Sequence, residues 1–270
     1  MSISEFNDNV VIITGASSGI GYELAIQLAA QGAWLSLAAR NAEKLEEAAT
    51  ECRKRGGKAM AIPTDVSQKP ECQNLIERTA AEYGRIDTLI NNAGISMGKR
   101  FDELQDLDIF DRIIQINYLG SVYCTYYALP YLKQTSGRIV GISSISGKVG
   151  LPTSSGYAAS KHAMAGFFDS LRIELADEGV SVTMIYPSFV ATKGRKARPG
   201  ILSGIMQVET CAQMIIQAAA KRKRELVMTA LGKTSIWAKL IAPGLVDRFS
   251  RQAVAGVRKS QGAGDKRGSA

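Results

Sequence analysis

The chain has 270 residues, of which 46% are hydrophobic and 21% are charged, a composition typical of a globular protein with an ample core. Its formal net charge of +8 at pH 7 is concentrated after residue 220, where twelve lysines and arginines face three acidic residues, whereas residues 1–220 carry 21 against 22. This nearly neutral body argues against nucleic-acid binding by the whole protein, because that function needs a basic surface.

The sequence also bears on location and metal content. No basic start is followed by an apolar run, and no uncharged stretch of 18 residues suggests a membrane span. Four cysteines are scattered without a CxxC pair, and the single histidine, His162, argues against a zinc site. We therefore expect a reduced, cytoplasmic protein without a bound metal.

Seven short runs of almost continuously apolar residues predict strands that are buried on both faces. They lie at residues 10–14, 34–39, 59–63, 88–91, 138–143, 181–186 and 225–228. Between them apolar residues recur at helical spacing, for example in 21–32 and 41–57, each of which ends in glycine. This alternation predicts an α/β fold: a single Rossmann-type domain whose doubly wound, seven-stranded parallel sheet has helices on both faces.

The segment TGASSGIG, residues 14–21, follows the first predicted strand and opens the first predicted helix. Gly15 permits a tight turn, Gly19 lets the backbone approach a pyrophosphate, and Gly21 permits close packing of the helix on the strand. The helix N-terminus then offers unpaired N–H groups to the anion. A plain glycine turn is the alternative, but the position between a strand and a helix favours dinucleotide binding.

The second predicted strand ends in LAARN, where an NAD-binding chain usually has an acidic residue that binds the ribose 2′-hydroxyl. Ala39 stands where that acid could be, and Arg40 follows it. A guanidinium can bind a 2′-phosphate through two hydrogen bonds. The sequence therefore favours NADP(H) over NAD(H), the alternative being that Arg40 is an ordinary solvated turn residue.

Five motifs occur in a fixed order: TGASSGIG (14–21), NNAG (91–94), the asparagine of QIN (117), GISS (141–144) and YAASK (157–161). Together they resemble the short-chain dehydrogenase/reductase superfamily over roughly residues 8–230, and the C-terminal end resembles its hydroxysteroid-dehydrogenase-like members. The resemblance implies an oxidoreductase that uses a nicotinamide cofactor.

The resemblance also implies roles for individual residues. Asn117 is expected to bind a water in a proton relay, and Ser144, Tyr157 and Lys161 to complete the catalytic group. The expected cofactor contacts are the glycine loop, the adenine-binding pair and the segments after the second, fourth and sixth strands. They are Gly15, Ser17, Ser18, Gly19, Ile20, Gly21, Arg40, Asp65, Val66, Asn92, Ala93, Gly94, Pro187, Val190 and Thr192, together with Tyr157 and Lys161.

Tyr157 and Lys161 also fit the chemistry that reduction of a ketone requires. Hydride transfer leaves an alkoxide that needs a proton, and a free tyrosine, with a pKa of about 10, donates one sluggishly at neutral pH. Positions i and i+4 share a helix face, and an ammonium placed there lowers the pKa of the tyrosine hydroxyl. Ser144, thirteen positions before Tyr157, would bind and polarise the substrate oxygen.

Some residues near these motifs receive no catalytic role. His162 follows Lys161 and points to a different helix face, so we interpret it as a packed or surface residue. Asp106 and Asp108 have no catalytic partner nearby and are interpreted as a solvated face. Ser188 follows Pro187 where the family commonly has glycine, and the loss of glycine's freedom predicts a slightly different loop.

Two segments leave alternatives open. Residues 193–215 begin with a basic cluster and continue with apolar residues at helical spacing, which predicts either a mobile substrate lid or a surface helix packed on the core. Residues 231–270 form a basic, amphipathic extension, predicted either to lie on an anionic membrane or to close the core or a subunit interface. Pro243 would interrupt a continuous helix there, and the last ten residues are predicted to be disordered.

The combined prediction is a catalytic domain over residues 1–230 that interconverts a ketone or aldehyde with an alcohol, using NADP(H) and an apolar, steroid- or lipid-like substrate. An anionic substrate such as a 3-ketoacyl thioester is one alternative, since the basic cluster would attract it. A non-catalytic dinucleotide-binding or membrane-surface protein is the alternative of another class. We expect a homodimer or homotetramer, with peripheral membrane contact through the C-terminal extension as an open option.

Overall fold

The computed structural model describes residues 5–191 and 205–248, together with residue 251. Its strands are β1 (Val10–Thr14), β2 (Trp34–Ala39), β3 (Lys58–Pro63), β4 (Thr88–Asn91), β5 (Arg138–Ile142), β6 (Ser181–Tyr186), β7 (Val190–Ala191), β8 (Met206–Gln207) and β9 (Glu225–Val227). Seven of them form one sheet in the order β3-β2-β1-β4-β5-β6-β9, and every pairing is parallel. These seven strands are the seven predicted runs, with ends that differ by at most one residue.

Helices cover both faces of this sheet. They are α1 (Gly19–Ala29), α2 (Ala42–Lys54), α3 (Lys69–Tyr83), α4 (Asp108–Ile114), α5 (Gly120–Gln134), α6 (Ser155–Glu174), α7 (Val208–Ala220) and α8 (Ala230–Ile241). Successive residues of β1 serve opposite faces: Ile13 lies in the core beneath α1, α2 and α7, and Ile12 lies in the core beneath α3, α5 and α6. Since neither face meets water, the strands are apolar throughout, and the predicted Rossmann-type fold is confirmed.

The strand order creates a crevice at one edge of the sheet. β1 lies between β2 and β4, so the chain leaves β1 toward one side and returns on the other. Ligands of open α/β sheets bind outside the carboxyl ends of the strands at such a reversal. The residues that follow these ends are Gly15 after β1, Asn92 after β4, Ser143 after β5 and Pro187 after β6.

A second, two-stranded sheet pairs Val190 with Met206 and Ala191 with Gln207. It was not predicted, because two residues carry no periodic pattern. The predicted lid was residues 193–215. Residues 193–204, which include the basic cluster, lie outside the described residues. Within the rest, Met206 and Gln207 form β8, and from Val208 onward α7 packs on the core. Cys211, Ala212 and Ile215 of α7 are fully buried.

Helix α8 lies on the surface. Gly232 is its only buried residue, whereas Trp237, Leu240 and Ile241 are exposed. The predicted break occurs at Ala242, and residues 243–248 form a further helical segment. The ten C-terminal residues predicted to be disordered lie outside the described part of the chain. In that part no helix is long and apolar enough to cross a lipid bilayer.

Candidate active site

The glycine-rich loop joins β1 to α1 in a conformation that its glycines make possible. Gly15 has φ of 68° and Gly19 has φ of 57°, in the left-handed region that other residues rarely adopt. A side chain at Gly21 would collide with the Gly15 carbonyl and the Asn92 amide. Ser18 is the N-cap residue of α1, and the first turn of that helix has no acidic residue. The loop therefore presents a helix N-terminus that suits an anion.

The turn after β4 is tied to this loop by Thr14. The Thr14 hydroxyl accepts hydrogen bonds from the backbone N–H groups of Asn92 and Ala93, each at 3.0 Å. The Asn92 side chain donates to the Thr14 carbonyl at 2.8 Å and to the Gly15 carbonyl at 3.2 Å. These bonds hold the β1 and β4 loops at a fixed separation.

Asn117 is fully buried in a π-turn, Gln115–Leu119, between α4 and α5. Its side chain accepts from the Ile95 N–H at 2.8 Å and donates to the Ile95 carbonyl at 3.0 Å and the Ser160 hydroxyl at 2.9 Å. Both amide protons are thus used within the protein. The side chain clamps the β4 loop to α6, and its role in binding a water of the proton relay stays a prediction.

Gly94 leaves open a space between the two buried polar side chains. A Cβ added at Gly94 would lie 3.2 Å from Asn117 Oδ1 and 3.6 Å from Lys161 Nζ. The ribose of a dinucleotide needs such a cradle, where hydroxyl groups can meet a hydrogen-bond acceptor and a donor. The residues present therefore fit a nicotinamide dinucleotide.

Lys161 lies on α6 with only 3% of its surface exposed. Its ammonium group donates to the Ile142 carbonyl at 2.8 Å and lies 5.9 Å from the centroid of the Tyr157 ring. Burial lowers the pKa of Lys161 to about 8. The ammonium also donates to Met164 Sδ at 3.8 Å, so one of its three protons remains for a ligand.

The two serines after β5 have different surroundings. Ser143 is buried and donates to the Lys161 carbonyl at 3.2 Å, which joins β5 to α6. Ser144 is partly exposed, and its hydroxyl oxygen accepts from the Ser146 N–H at 3.1 Å. Ser144 therefore keeps its own proton to donate to a ligand, whereas Ser143 has a structural bond.

The remaining predicted residues surround the same crevice or flank it. Asp65 accepts two hydrogen bonds from Ser67 after β3, and Val66 is buried against Gly120. Arg40 is exposed after β2 and makes no hydrogen bond or ion pair with any residue in the described ranges. Ser17, Ser18 and Ile20 belong to the loop before and at the start of α1; Pro187 and Val190 follow β6; and Thr192 lies outside the described residues.

The residues that received no catalytic role have bonds of other kinds. His162 is exposed, and its ring Nδ1 lies 2.9 Å from the Ala158 carbonyl within the same helix. Asp106 and Asp108 are both exposed, and Asp106 accepts from the Asp108 N–H at 3.1 Å. Within 5–191 and 205–248, no group of three His, Cys, Asp or Glu side chains could hold a metal ion.

Two positioning residues were missed in the sequence. Thr14, the first residue of TGASSGIG, received no role, although its hydroxyl anchors the β4 turn. Ser160 lies within YAASK, accepts from Asn117 and donates to the Tyr157 carbonyl at 2.8 Å. Their place inside the motifs was the available signal, but their partners are 78 and 43 residues away in the chain.

Comparison with known proteins agrees with this geometry. The model of a family described as short chain dehydrogenase matches residues 9–199. An 11-beta-hydroxysteroid dehydrogenase-like 4A from Arabidopsis thaliana is 36% identical over 250 residues, 89% of this chain and 83% of the relative. The 11-beta-hydroxysteroid dehydrogenase A of Sesamum indicum is 35% identical over 255 residues, 88% of this chain and 73% of the relative.

A third relative comes from Dictyostelium discoideum. The Dehydrogenase/reductase SDR family protein 7-like of Dictyostelium discoideum is 33% identical over 259 residues, 90% of this chain and 81% of the relative. The fold, the order of the motifs and these similarities agree with one another. The chain therefore belongs to the short-chain dehydrogenase/reductase family of oxidoreductases, in the branch that resembles hydroxysteroid dehydrogenases.

Proposed function

We propose that this protein interconverts a ketone or aldehyde with an alcohol, using NADP(H) and an apolar, steroid- or lipid-like substrate. The observation that carries the proposal is that α6, which bears Tyr157 and Lys161, is bonded to the end of β5 directly before Ser144. Lys161 donates to the Ile142 carbonyl, its own carbonyl accepts from Ser143, and its ammonium lies 5.9 Å from the Tyr157 ring centroid. All four residues expected to act in catalysis have the residue type that the family uses at that place. This argues against a non-catalytic dinucleotide-binding protein.

Residues along the crevice would hold the cofactor in an extended arrangement. The loop from Gly15 to Gly21 and the N-terminus of α1 would bind the pyrophosphate, and Asp65 with Val66 would lie at the adenine end. Lys161 would bind the nicotinamide ribose, and the segment from Pro187 to Val190 would lie at the nicotinamide end. When bound, the nicotinamide supplies hydride to the substrate carbon or accepts it.

The protein's own groups would handle the proton. Ser144 would donate its hydroxyl proton in a hydrogen bond to the substrate oxygen, since its oxygen already accepts from Ser146. Tyr157 would transfer its hydroxyl proton to that oxygen as the carbonyl double bond is lost. The Lys161 ammonium would stabilise the resulting phenolate, and a proton from solvent would restore the tyrosine. The reverse order would serve alcohol oxidation.

Arg40 supports NADP(H) as the preferred cofactor. It is exposed at the end of β2, where no acidic residue precedes it, and no described carboxylate pairs with it. A guanidinium without a partner is available for a 2′-phosphate. An acid at this place would instead repel that phosphate.

An apolar wall beside Tyr157 supports an apolar substrate. A Cβ added at Gly156 would lie 3.1 Å from the Phe110 ring and 3.4 Å from Met97 Sδ. Phe101 packs edge to face on Phe110, with the ring centroids 6.0 Å apart, and Phe101 is exposed. The names of the plant relatives refer to hydroxysteroids, which are apolar. The basic cluster that would favour an anionic thioester lies outside the described residues.

The experiment that tests this proposal measures NADPH oxidation with a panel of carbonyl compounds. The panel contains ketosteroids, retinals, 3-ketoacyl thioesters and small ketones. We expect the highest kcat/KM for ketosteroids or other lipid-like carbonyls. A preference for the thioesters would support the anionic alternative, and no turnover of any compound would contradict the proposed activity.

We further propose that α8 contacts an anionic lipid surface. Trp237, Leu240 and Ile241 are exposed on one side of this helix, with Lys233 next to them. Exposed apolar side chains flanked by cations are typical of helices that lie in a membrane interface. Ile236, on another side of α8, packs against the core, so the helix leaves only its outer side for a lipid surface. Sedimentation with lipid vesicles that contain phosphatidylserine tests this proposal.

A homodimer or homotetramer stays our expectation for the assembly. Tyr126 on α5 and Ile173 on α6 are large apolar residues that are 70% and 75% exposed. Such residues on neighbouring helices favour contact with a second copy. Sedimentation velocity measures the assembly directly, and a monomer at micromolar concentration would contradict the expectation.

A further inference from the structure

Ser188 makes a bond that glycine, common at this place in the family, could not make. Its hydroxyl lies 2.8 Å from the hydroxyl of Thr229, 41 residues later in the chain. Both side chains are partly buried, so the bond is shielded from water on one side. It joins the segment after β6 to the start of α8.

The segment after β6 lies beside the catalytic serine. The Pro187 carbonyl accepts from the Ile145 N–H at 2.9 Å, and Ile145 directly follows Ser144. Ser144 would bind the substrate oxygen, and hydride must reach the carbon attached to that oxygen. The nicotinamide end of a bound cofactor must therefore lie next to residues 187–191.

Helix α8 contacts the serine loop at two points. Thr229 is its N-cap residue and accepts from the Gly232 N–H at 3.1 Å, and a Cβ added at Gly232 would lie 3.2 Å from Ile145 Cδ1. Near the other end of the helix, Lys239 donates to the Lys148 carbonyl at 2.9 Å. Thr229 is thus a fixed point in relation to the loop that contains Ser144.

We propose that Ser188 is a positioning residue, whose bond to Thr229 holds residues 187–191 against α8 and so sets the nicotinamide end of the cofactor site relative to Ser144. This inference rests on the proposed function. Without the bond, the segment gains freedom that cofactor binding must remove, and affinity for the whole cofactor falls. The adenosine end, bound by the β1, β2 and β3 loops, is unaffected.

The test compares two ligands by titration calorimetry: NADPH, and 2′,5′-ADP, which lacks the nicotinamide half. For Ser188→Ala and Ser188→Gly we expect the Kd for NADPH to rise about fivefold and the Kd for 2′,5′-ADP to stay unchanged. Ser188→Thr, which keeps a hydroxyl, restores the wild-type Kd. In a Thr229→Val background, Ser188→Ala causes no further loss, because the partner is already absent.

Ser235→Ala is the matched control, since it removes a hydroxyl from α8 that donates only to Leu231 of the same helix. An unchanged Kd for NADPH in both Ser188→Ala and Ser188→Gly would overturn the inference. Equal weakening of both ligands would also overturn it, because it would indicate a general loss of structure. If the wild-type protein bound neither NADPH nor 2′,5′-ADP, the proposed function itself would fail, which is a distinguishable result.

Discussion

The burial of Lys161 determines its protonation in the cofactor-free protein. Lys161 is almost completely buried, and the Ile142 carbonyl is its single oxygen partner among the described residues. Burial without a nearby carboxylate disfavours the charged form, which accounts for a pKa of about 8. A cofactor ribose would add hydrogen-bond acceptors, which favour the ammonium that Tyr157 needs.

From the lowered pKa of Lys161 we predict how the free energy of unfolding depends on pH in the cofactor-free protein. The folded pKa of about 8 lies below the unfolded value of about 10.4, so between these values the unfolded chain binds more protons. We therefore expect the free energy of unfolding to rise between pH 8 and pH 10.4 by on the order of 3 kcal/mol relative to a Lys161→Met variant. Urea denaturation of both proteins across this range measures the difference, and parallel pH profiles would contradict it.

A substitution at Arg40 tests the preference for NADP(H) over NAD(H). Arg40→Asp removes the guanidinium and places a carboxylate where the 2′-phosphate would bind, so we expect the Kd for NADPH to rise at least about tenfold. The Kd for NADH should stay within about twofold, because an acid can bind the ribose hydroxyl. Arg78→Asp, at an exposed position on α3, is the matched control for charge. An unchanged ratio of the two Kd values would refute the assignment of Arg40.

The π-turn Gln115–Leu119, before α5, explains the direction in which the Asn117 side chain points. The Gly120 N–H bonds to the Gln115 carbonyl five residues earlier, so this turn holds one more residue than an α-helical turn. The extra residue directs Asn117 toward Ile95 and Ser160. Asn117 is thus a clamp between the β4 loop and α6, and the water-binding role that the sequence motif suggests stays a prediction.

The exposed apolar side chains of α8 lead us to expect that the protein attaches to anionic lipid. Trp237 is 66% exposed, and Trp237→Glu places a charge on the apolar side of the helix. We expect the full-length wild-type protein to sediment with vesicles that contain phosphatidylserine, and the variant to lose at least half of that binding. Gln73→Glu, which adds the same charge on α3, should bind like wild type. Equal binding of all three proteins would contradict a contact through α8.

The sequence predicts the seven-stranded sheet well because its strands are buried on both faces. Such strands are apolar throughout, as β1 illustrates with Ile12 and Ile13 on opposite faces. The motifs also predict which residues line the crevice, since the carboxyl ends of parallel strands meet at one edge. Chain order and spacing were sufficient for the sheet, and the roles of the crevice residues stay a prediction.

Contacts between distant segments could not be predicted in the same way. The β7–β8 pair has only two residues in each strand, and the Ser188–Thr229 bond joins residues 41 positions apart. Thr14 and Ser160 act through partners that only the folded chain brings near. Such bonds depend on tertiary geometry and leave no period or spacing in the sequence.

Tyr157→Phe is the decisive variant for the proposed proton transfer, because it removes one hydroxyl and leaves the ring that packs beside Lys161. With the best carbonyl substrate of the panel, we expect kcat for NADPH oxidation to fall at least about a thousandfold, while the Kd for NADPH changes less than about threefold. Tyr126→Phe, at an exposed position on α5, should retain wild-type kcat. A Tyr157→Phe variant with near-normal turnover would contradict the assignment of Tyr157 as the proton donor.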